Sequence, residues 1–448
     1  MNLIELKIEK SIFGGLGLSH YEGMAVLVEG AVTGDIIKAE IIKKNKNYLS
    51  AKIKEIIVPS NKRTKPFCPL YGACGGCGMQ FVEYDFLIKE KENILFEIFS
   101  PFSKLKIKPF VKSPKTLNYR CKTQYPVTQT KNSKRLLIGY YKKNSHDITN
   151  IKFCPVQPSV IDEITEFIRN NWNLGAYIEK THKGLLRHIN TRISTNDNSI
   201  LLTFVLNADE KEYKKIKNEI TDFSNLLMNN FPLVKGVFIN LNNKKTNKIT
   251  GEKTVLIKGE KYIIQNLKSY SYKMGPLSFF QINPYLAEIL FEKAKNLISK
   301  KGSLLDLYGG VGAIGIFMND VADKITLVEE NSEAVSFAYE NYKLNNVKNH
   351  EIHEGKAENI INNFIKEKRY FENIIIDPPR KGSDNRTLEC ISKMTNSIIY
   401  ISCNPMTLKR DAGFLIEKGF KFKTLEGFDM FPYTHHIECL AHFERENG

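Results

Sequence analysis

The residues best suited to chemistry stand at the ends of apolar runs in the last third of the chain. Cys403, in Ser402-Cys403-Asn404-Pro405, directly follows Ile398-Ile399-Tyr400-Ile401. A thiol at the carboxyl end of a buried strand, beside a ligand cleft, is placed as a nucleophile, and its thiolate is the reactive form. Asp377-Pro378-Pro379-Arg380 follows Ile374-Ile375-Ile376 in the same way. Where an aromatic ring would stack on a base to serve amine chemistry, this chain has Arg380, which suits a phosphate or a carbonyl oxygen. Glu438, in His435-His436-Ile437-Glu438-Cys439-Leu440, is a carboxylate among apolar neighbours. Such a setting raises its pKa and fits a general base. The two histidines have no evident third ligand, so a metal is not expected there.

Leu304-Leu305-Asp306-Leu307-Tyr308-Gly309-Gly310-Val311-Gly312 reads as a strand entering a glycine turn and a helix, with Glu329 ending the next strand. Gly310 and Gly312 let backbone approach a ligand closely, and a carboxylate about 20 residues on can hold both hydroxyls of a ribose. A phosphate cradle would prefer a second Gly-x-x-Gly or a Lys-Ser/Thr, and neither is in place. S-adenosylmethionine therefore fits better than a dinucleotide.

A second cluster lies far upstream. Cys68, Cys74 and Cys77 flank a Gly75-Gly76 turn, and Cys154-Pro155 offers a fourth thiol. Three thiols in one turn cannot easily pair with one another as disulfides, but they can converge on one metal centre. A cysteine before proline suits iron–sulfur ligation, with zinc as the alternative. The spacing differs from that of radical enzymes, so a structural or RNA-docking role is expected.

The chain that must position these groups has 448 residues, 42% hydrophobic and 25% charged, enough for about three domains. No apolar run approaches membrane-spanning length and the N-terminus alternates apolar and charged residues, so neither a membrane span nor a secretory signal is expected. The formal charge is +16, unevenly spread. Residues 1–277 hold 44 Lys/Arg and 25 Asp/Glu, whereas 278–448 hold 21 and 24. The basic surface, and with it a polyanionic partner, belongs to the first two-thirds.

Residues 1–60 read as five short strands punctuated by glycines, a small barrel of the oligonucleotide-binding kind. After a polar linker and the cysteines, a helix is expected over 86–99. An α+β segment follows, with strands at 124–127, 136–141, 199–206 and 235–240 and helices at 160–170 and 210–229. Beyond Gly275, Asn283 is an N-cap before Pro284, and β-α alternation with continuous apolar strands predicts a doubly wound domain. The expected division is 1–60, 61–275 and 276–448.

Taken together, these motifs closely resemble the RNA uracil-5-methyltransferase family, and within it the iron–sulfur branch acting on 23S ribosomal RNA. The likeness spans nearly the whole chain. It implies an N-terminal TRAM-type barrel, a central α+β domain with an iron–sulfur loop, and a Rossmann-like class I methyltransferase domain. It further implies S-adenosylmethionine contacts from Gln281, Tyr308, Gly310, Gly312, Glu329 and Asp377, with Cys403 as nucleophile and Glu438 as base. Cys68, Cys74, Cys77 and Cys154 would hold a [4Fe–4S] cluster. The implied partner is RNA, with transfer RNA as the alternative to 23S ribosomal RNA and a non-catalytic assembly factor as a remote one. A cytoplasmic monomer is expected. The chain departs from the family pattern at Gly309, where Cys is frequent, at Ala313, where polar side chains are, at Lys356, and at Cys121, where Asn is usual.

Overall fold

The computed structural model describes residues 3–130 and 135–445. Its fold is mixed α/β, organised around three larger sheets and one small hairpin.

The first sheet is barrel-like and has six strands rather than five, in the order Leu3–Lys7, Ile36–Lys44, Tyr48–Val58, Met24–Glu29, Leu16–Tyr21, Lys10–Ile12. Alternation in the sequence turns Ile4, Leu6, Ile8, Val26, Val28, Ile37 and Ala39 inward as one core. The buried carboxylate of Asp35 ties the barrel to the linker, accepting from Val32 N (2.7 Å), Ser60 N (2.9 Å) and the Arg63 guanidinium.

The central sheet runs Lys253–Gly259, Val234–Leu241, Ile200–Leu206, Leu186–Ile193, Lys122–Gln129, Leu136–Ile138. Helices Ser159–Asn171 and Lys217–Asn230 complete its core. The expected helix over 210–229 is two helices, broken at Ile216, where φ is −114° and ψ 11°.

The C-terminal sheet has eight strands: His350–Glu354, Lys324–Glu329, Ser303–Leu307, Asn373–Ile376, Ser397–Ser402, Glu438–Glu444, Lys421–Phe428 and Lys106–Ile107. The first five are parallel, and Glu438–Glu444 runs antiparallel to both its neighbours. Successive residues of the apolar runs feed opposite faces. Ile374, Ile376, Ile398 and Tyr400 pack in one core, and Ile375, Ile399 and Ile401 in the other. Burial on both faces is why these strands read as continuous apolar runs. Asn283 caps the helix Pro284–Lys295 as expected.

Two segments from the earlier part of the chain join this body. The helix Tyr84–Phe99 places Ile88, Ile94, Leu95 and Phe99 in the same core as Ile374 and Tyr400. The strand Lys106–Ile107 pairs with Lys421–Phe428, Thr424 opposite Lys106. Among the described residues no helix is long and apolar enough to cross a membrane.

Candidate active site

Parallel strands deliver their carboxyl ends to one edge of a sheet, where ligands of such folds bind. Here Leu307, Glu329, Ile376 and Ser402 end at that edge, and the antiparallel strand beginning at Glu438 starts there. Ser402 is paired with Cys439. The next position along this pair of strands places Cys403 beside Glu438, so two residues 35 apart in sequence come to share one corner.

The glycine turn needs its glycines. Tyr308, Gly310 and Gly312 all have positive φ (67°, 56° and 83°). A Cβ at Gly312 would stand 2.6 Å from Tyr342, so this turn passes close to a side chain as well as bending the chain. Glu329 braces the turn from the neighbouring strand, accepting from Gly310 N (3.0 Å) and Asn331 N (2.8 Å). Above it opens a cleft of about 660 Å³, with Gly310, Glu329 and Asn331 on one side and Lys244, Thr246 and Lys248 on the other. That volume is within the range of small-ligand sites. The lining is about equally polar and apolar and includes a carboxylate and a bare glycine backbone.

Gln281, two residues beyond the cleft's Phe279, reaches toward the corner, donating from Nε2 to Asp377 Oδ2 at 3.1 Å. Its backbone is held from the central sheet by Cys121, whose amide donates to Ile282 O (3.0 Å) and whose buried thiol lies 3.4 Å from Gln281 O. No role for Cys121 is legible in the sequence, because its partners lie in a loop 160 residues downstream. Arg192 works in the same direction, its buried guanidinium donating to Ser278 O. Phe279, next to the cleft, is 64% exposed, an open aromatic face at its entrance.

Electrostatics at the corner are dominated by burial. The Glu438 carboxyl is 3% exposed and is raised well above the ordinary range by burial and by nearby Asp377. Asp377 is raised as well, by burial and by Asp306. The Cys403 thiol is pushed up to about 11, first by burial and then by Glu438 and Asp377, while Arg380 pulls it down. Groups this close cannot all carry negative charge, so protons are shared among them. Burial, and then the charges of His435, Arg380 and Lys91, push His436 down to about 4.

The upstream thiols also meet. Cys68, Cys74, Cys77 and Cys154 line one cavity of about 30 Å³, walled by Leu70, Ile151 and Val156. Burial pushes the Cys74 thiol up, and Gly76 N, donating to Cys74 Sγ at 3.4 Å, opposes that shift. Gly75 has no room for a side chain, since a Cβ would lie 2.7 Å from Tyr141 O. Arg120, unremarked in the sequence, stands on the cavity wall with its guanidinium 5.4 Å from the Tyr140 ring centroid. No set of three or more His, Cys, Asp or Glu side chains among the described residues is grouped to hold a metal ion. All eight cysteines are free thiols.

Comparison with known proteins places the chain. A family model described as tRNA (uracil-5-)-methyltransferase matches residues 83–446. The chain is 33% identical over 447 residues to an uncharacterized RNA methyltransferase of Oceanobacillus iheyensis, covering 97% of this chain and 95% of that one. It is 32% identical over 434 residues to an uncharacterized RNA methyltransferase of Clostridium tetani, covering 95% and 93%. The fold is similar to that of Pyrococcus abyssi tRNA (uracil-54, C5)-methyltransferase in complex with S-adenosyl-L-homocysteine. That likeness has a TM-score of 0.75 at 24% identity, over 98% of this chain and 100% of the other.

Proposed function

The chain belongs to the tRNA (uracil-5-)-methyltransferase family and is an S-adenosylmethionine-dependent RNA methyltransferase, and on that premise we propose that it methylates carbon 5 of a uridine in 23S ribosomal RNA through a covalent Cys403 adduct. The observation carrying the mechanism is the corner shared by Cys403 and Glu438, set by the pairing of Ser402 with Cys439.

S-adenosylmethionine supplies the methyl group on an electrophilic sulfonium. Carbon 5 of uracil is a poor nucleophile until the ring is activated. The Cys403 thiolate adds to carbon 6, and the ring becomes an enolate that is nucleophilic at carbon 5. A new carbon–carbon bond forms there as the methyl–sulfur bond breaks onto sulfur. Glu438 takes the hydrogen left on carbon 5, the ring double bond re-forms, and the Cys403 thiolate leaves. Arg380, exposed beside the corner with its carbonyl held by Asn404 Nδ2 at 3.4 Å, supplies positive charge toward the enolate oxygen or a phosphate. The uracil must leave its stack to reach this corner. Cys403→Ala abolishes turnover while S-adenosylmethionine still binds; normal methylation by that variant would sink the mechanism.

Cys68, Cys74, Cys77 and Cys154 hold a [4Fe–4S] cluster in this reading. Zinc, which needs all four sulfurs about 2.3 Å from one point, is the alternative; Cys154 before Pro155 favours the cluster, in which each thiol ligates its own iron. The cluster motif favours ribosomal RNA, while the basic first two-thirds suit either RNA. The family description favours the second reading, transfer RNA. Mapping 5-methyluridine by mass spectrometry in both RNAs, from cells with and without this gene, separates them: the missing modification names the substrate.

A further inference from the structure

The segment 429–437, which leads into Glu438, is anchored from outside its own sheet, and its anchor is an ion pair that the mechanism above does not use. Lys91, on the helix Tyr84–Phe99, is 1% exposed, and Asp429 is fully buried. Lys91 Nζ donates to Asp429 Oδ1 at 2.5 Å and to the carbonyl of His436 at 2.9 Å. The second oxygen of Asp429 accepts from Tyr84 Oη at 2.8 Å, and Tyr84 Oη in turn accepts from Ser113 N at 3.2 Å. Between the two contacts of Lys91 lies Tyr433, held at a positive φ of 58°. Its ring stands 4.9 Å from Phe67 and 5.4 Å from Tyr84, and its carbonyl accepts from Met79 N at 2.9 Å. A bulky residue in the left-handed region persists only where its surroundings over-determine it.

A buried ion pair is weak evidence for stability, because desolvation offsets much of its attraction. What this pair does contribute is geometry. One ammonium grips both ends of the loop, the residue after strand Lys421–Phe428 and the carbonyl two residues before Glu438. We propose that Lys91, with Asp429 and Tyr84, is a positioning residue that fixes the Glu438 carboxylate for removal of the carbon 5 hydrogen. The inference rests on the reading of Glu438 as the base.

The reaction has two separable halves, and the proposal concerns the second. Methyl transfer reads the first half; release of tritium from carbon 5 of labelled uridine reads the second. The probe is bulk 23S ribosomal and transfer RNA from cells lacking this protein, grown on tritiated uracil, with the full-length enzyme. Lys91→Met/Asp429→Asn removes both charges together, so none is stranded in the core. In a single turnover it transfers methyl within about threefold of the wild-type rate but releases tritium at least tenfold more slowly, and a covalent protein–RNA species persists on a denaturing gel. Affinity for S-adenosylmethionine stays within about twofold. Tyr84→Phe, which removes one hydroxyl, shows the same split more weakly and keeps the test open should the double variant not fold. Tritium release and methyl transfer falling together in the folded variants, or wild-type behaviour in both, overturns the proposal. Glu438→Gln is the reference: if it accumulates the adduct and the Lys91 and Tyr84 variants do not, the positioning role alone is wrong, and if it accumulates none, the base assignment fails and takes the proposal with it.

Discussion

The proposed nucleophile, Cys403, should be a protonated thiol in the free enzyme, and that can be measured. An ordinary cysteine ionises near pH 8.5, so at pH 7.5 about a tenth of it is thiolate. Burial, Glu438 and Asp377 push Cys403 up to about 11. At pH 7.5 it then sits about 3.5 units below its midpoint, and only about one thiol in 3,000 is ionised. Alkylation of Cys403 by iodoacetamide, followed on its own peptide by mass spectrometry, therefore climbs about tenfold per pH unit from 7 to 10 without levelling. The neighbouring Cys439 is fully buried and serves as an unreacting internal control. Two variants move the midpoint in opposite directions. Glu438→Gln removes the second-largest cause of the upward shift, so the midpoint falls and alkylation at pH 7.5 accelerates. Arg380→Gln removes the opposing cation, so the midpoint rises and alkylation slows. A wild-type profile that levels below pH 9, or a midpoint that rises in Glu438→Gln, would refute the reasoning. On the proposed mechanism, thiolate formation then belongs to the substrate complex.

Three further outcomes follow from the same geometry. Asp306 is buried with its carboxyl raised to about 7, chiefly by burial, and its Oδ1 and the Tyr342 hydroxyl both lack hydrogen-bond partners. With the folded value above the unfolded one, its stabilising contribution is complete below about pH 4 and is lost as pH rises to about 7. Asp306→Asn therefore raises the melting temperature at pH 8 far more than at pH 4, where the buried carboxyl is neutral in both states; equal shifts at both would contradict this. Gly312→Ala meets both a left-handed φ and Tyr342 at 2.6 Å, so it weakens S-adenosylmethionine binding at least tenfold by titration calorimetry, and unchanged affinity would show that the turn does not touch the ligand. Cys77→Ser, purified without oxygen, loses most of its iron and acid-labile sulfide by colorimetry, whereas Cys390→Ser, away from the cavity, keeps both; equal iron in the two proteins would remove the cluster assignment.

Legibility in the sequence followed what each residue answers to. The C-terminal strands were readable because both their faces are apolar, and the corner was readable because its residues ride on short motifs at strand ends. The strand Leu186–Ile193 was not, although every residue in it is buried. Five of its eight residues are polar, and the partners of its two arginines are remote: Arg187 donates to Asn242 O at 2.6 Å and Lys244 O at 2.9 Å, and Arg192 to Ser278 O. Neither alternation nor propensity encodes a polar strand whose partners lie 55 to 86 residues away. Lys91 is the sharpest case. In Leu87-Ile88-Lys89-Glu90-Lys91-Glu92-Asn93 it reads as one charge on a solvated helix face, yet it is buried while its neighbour Lys89 stays at the surface. Its partner Asp429 is 338 residues downstream. Local pattern could place the helix but not distinguish the lysine that enters the core from the one that stays outside. That distinction lies in the geometry of a distant loop, and it separates a residue that decorates the basic surface from one that sets the position of the base.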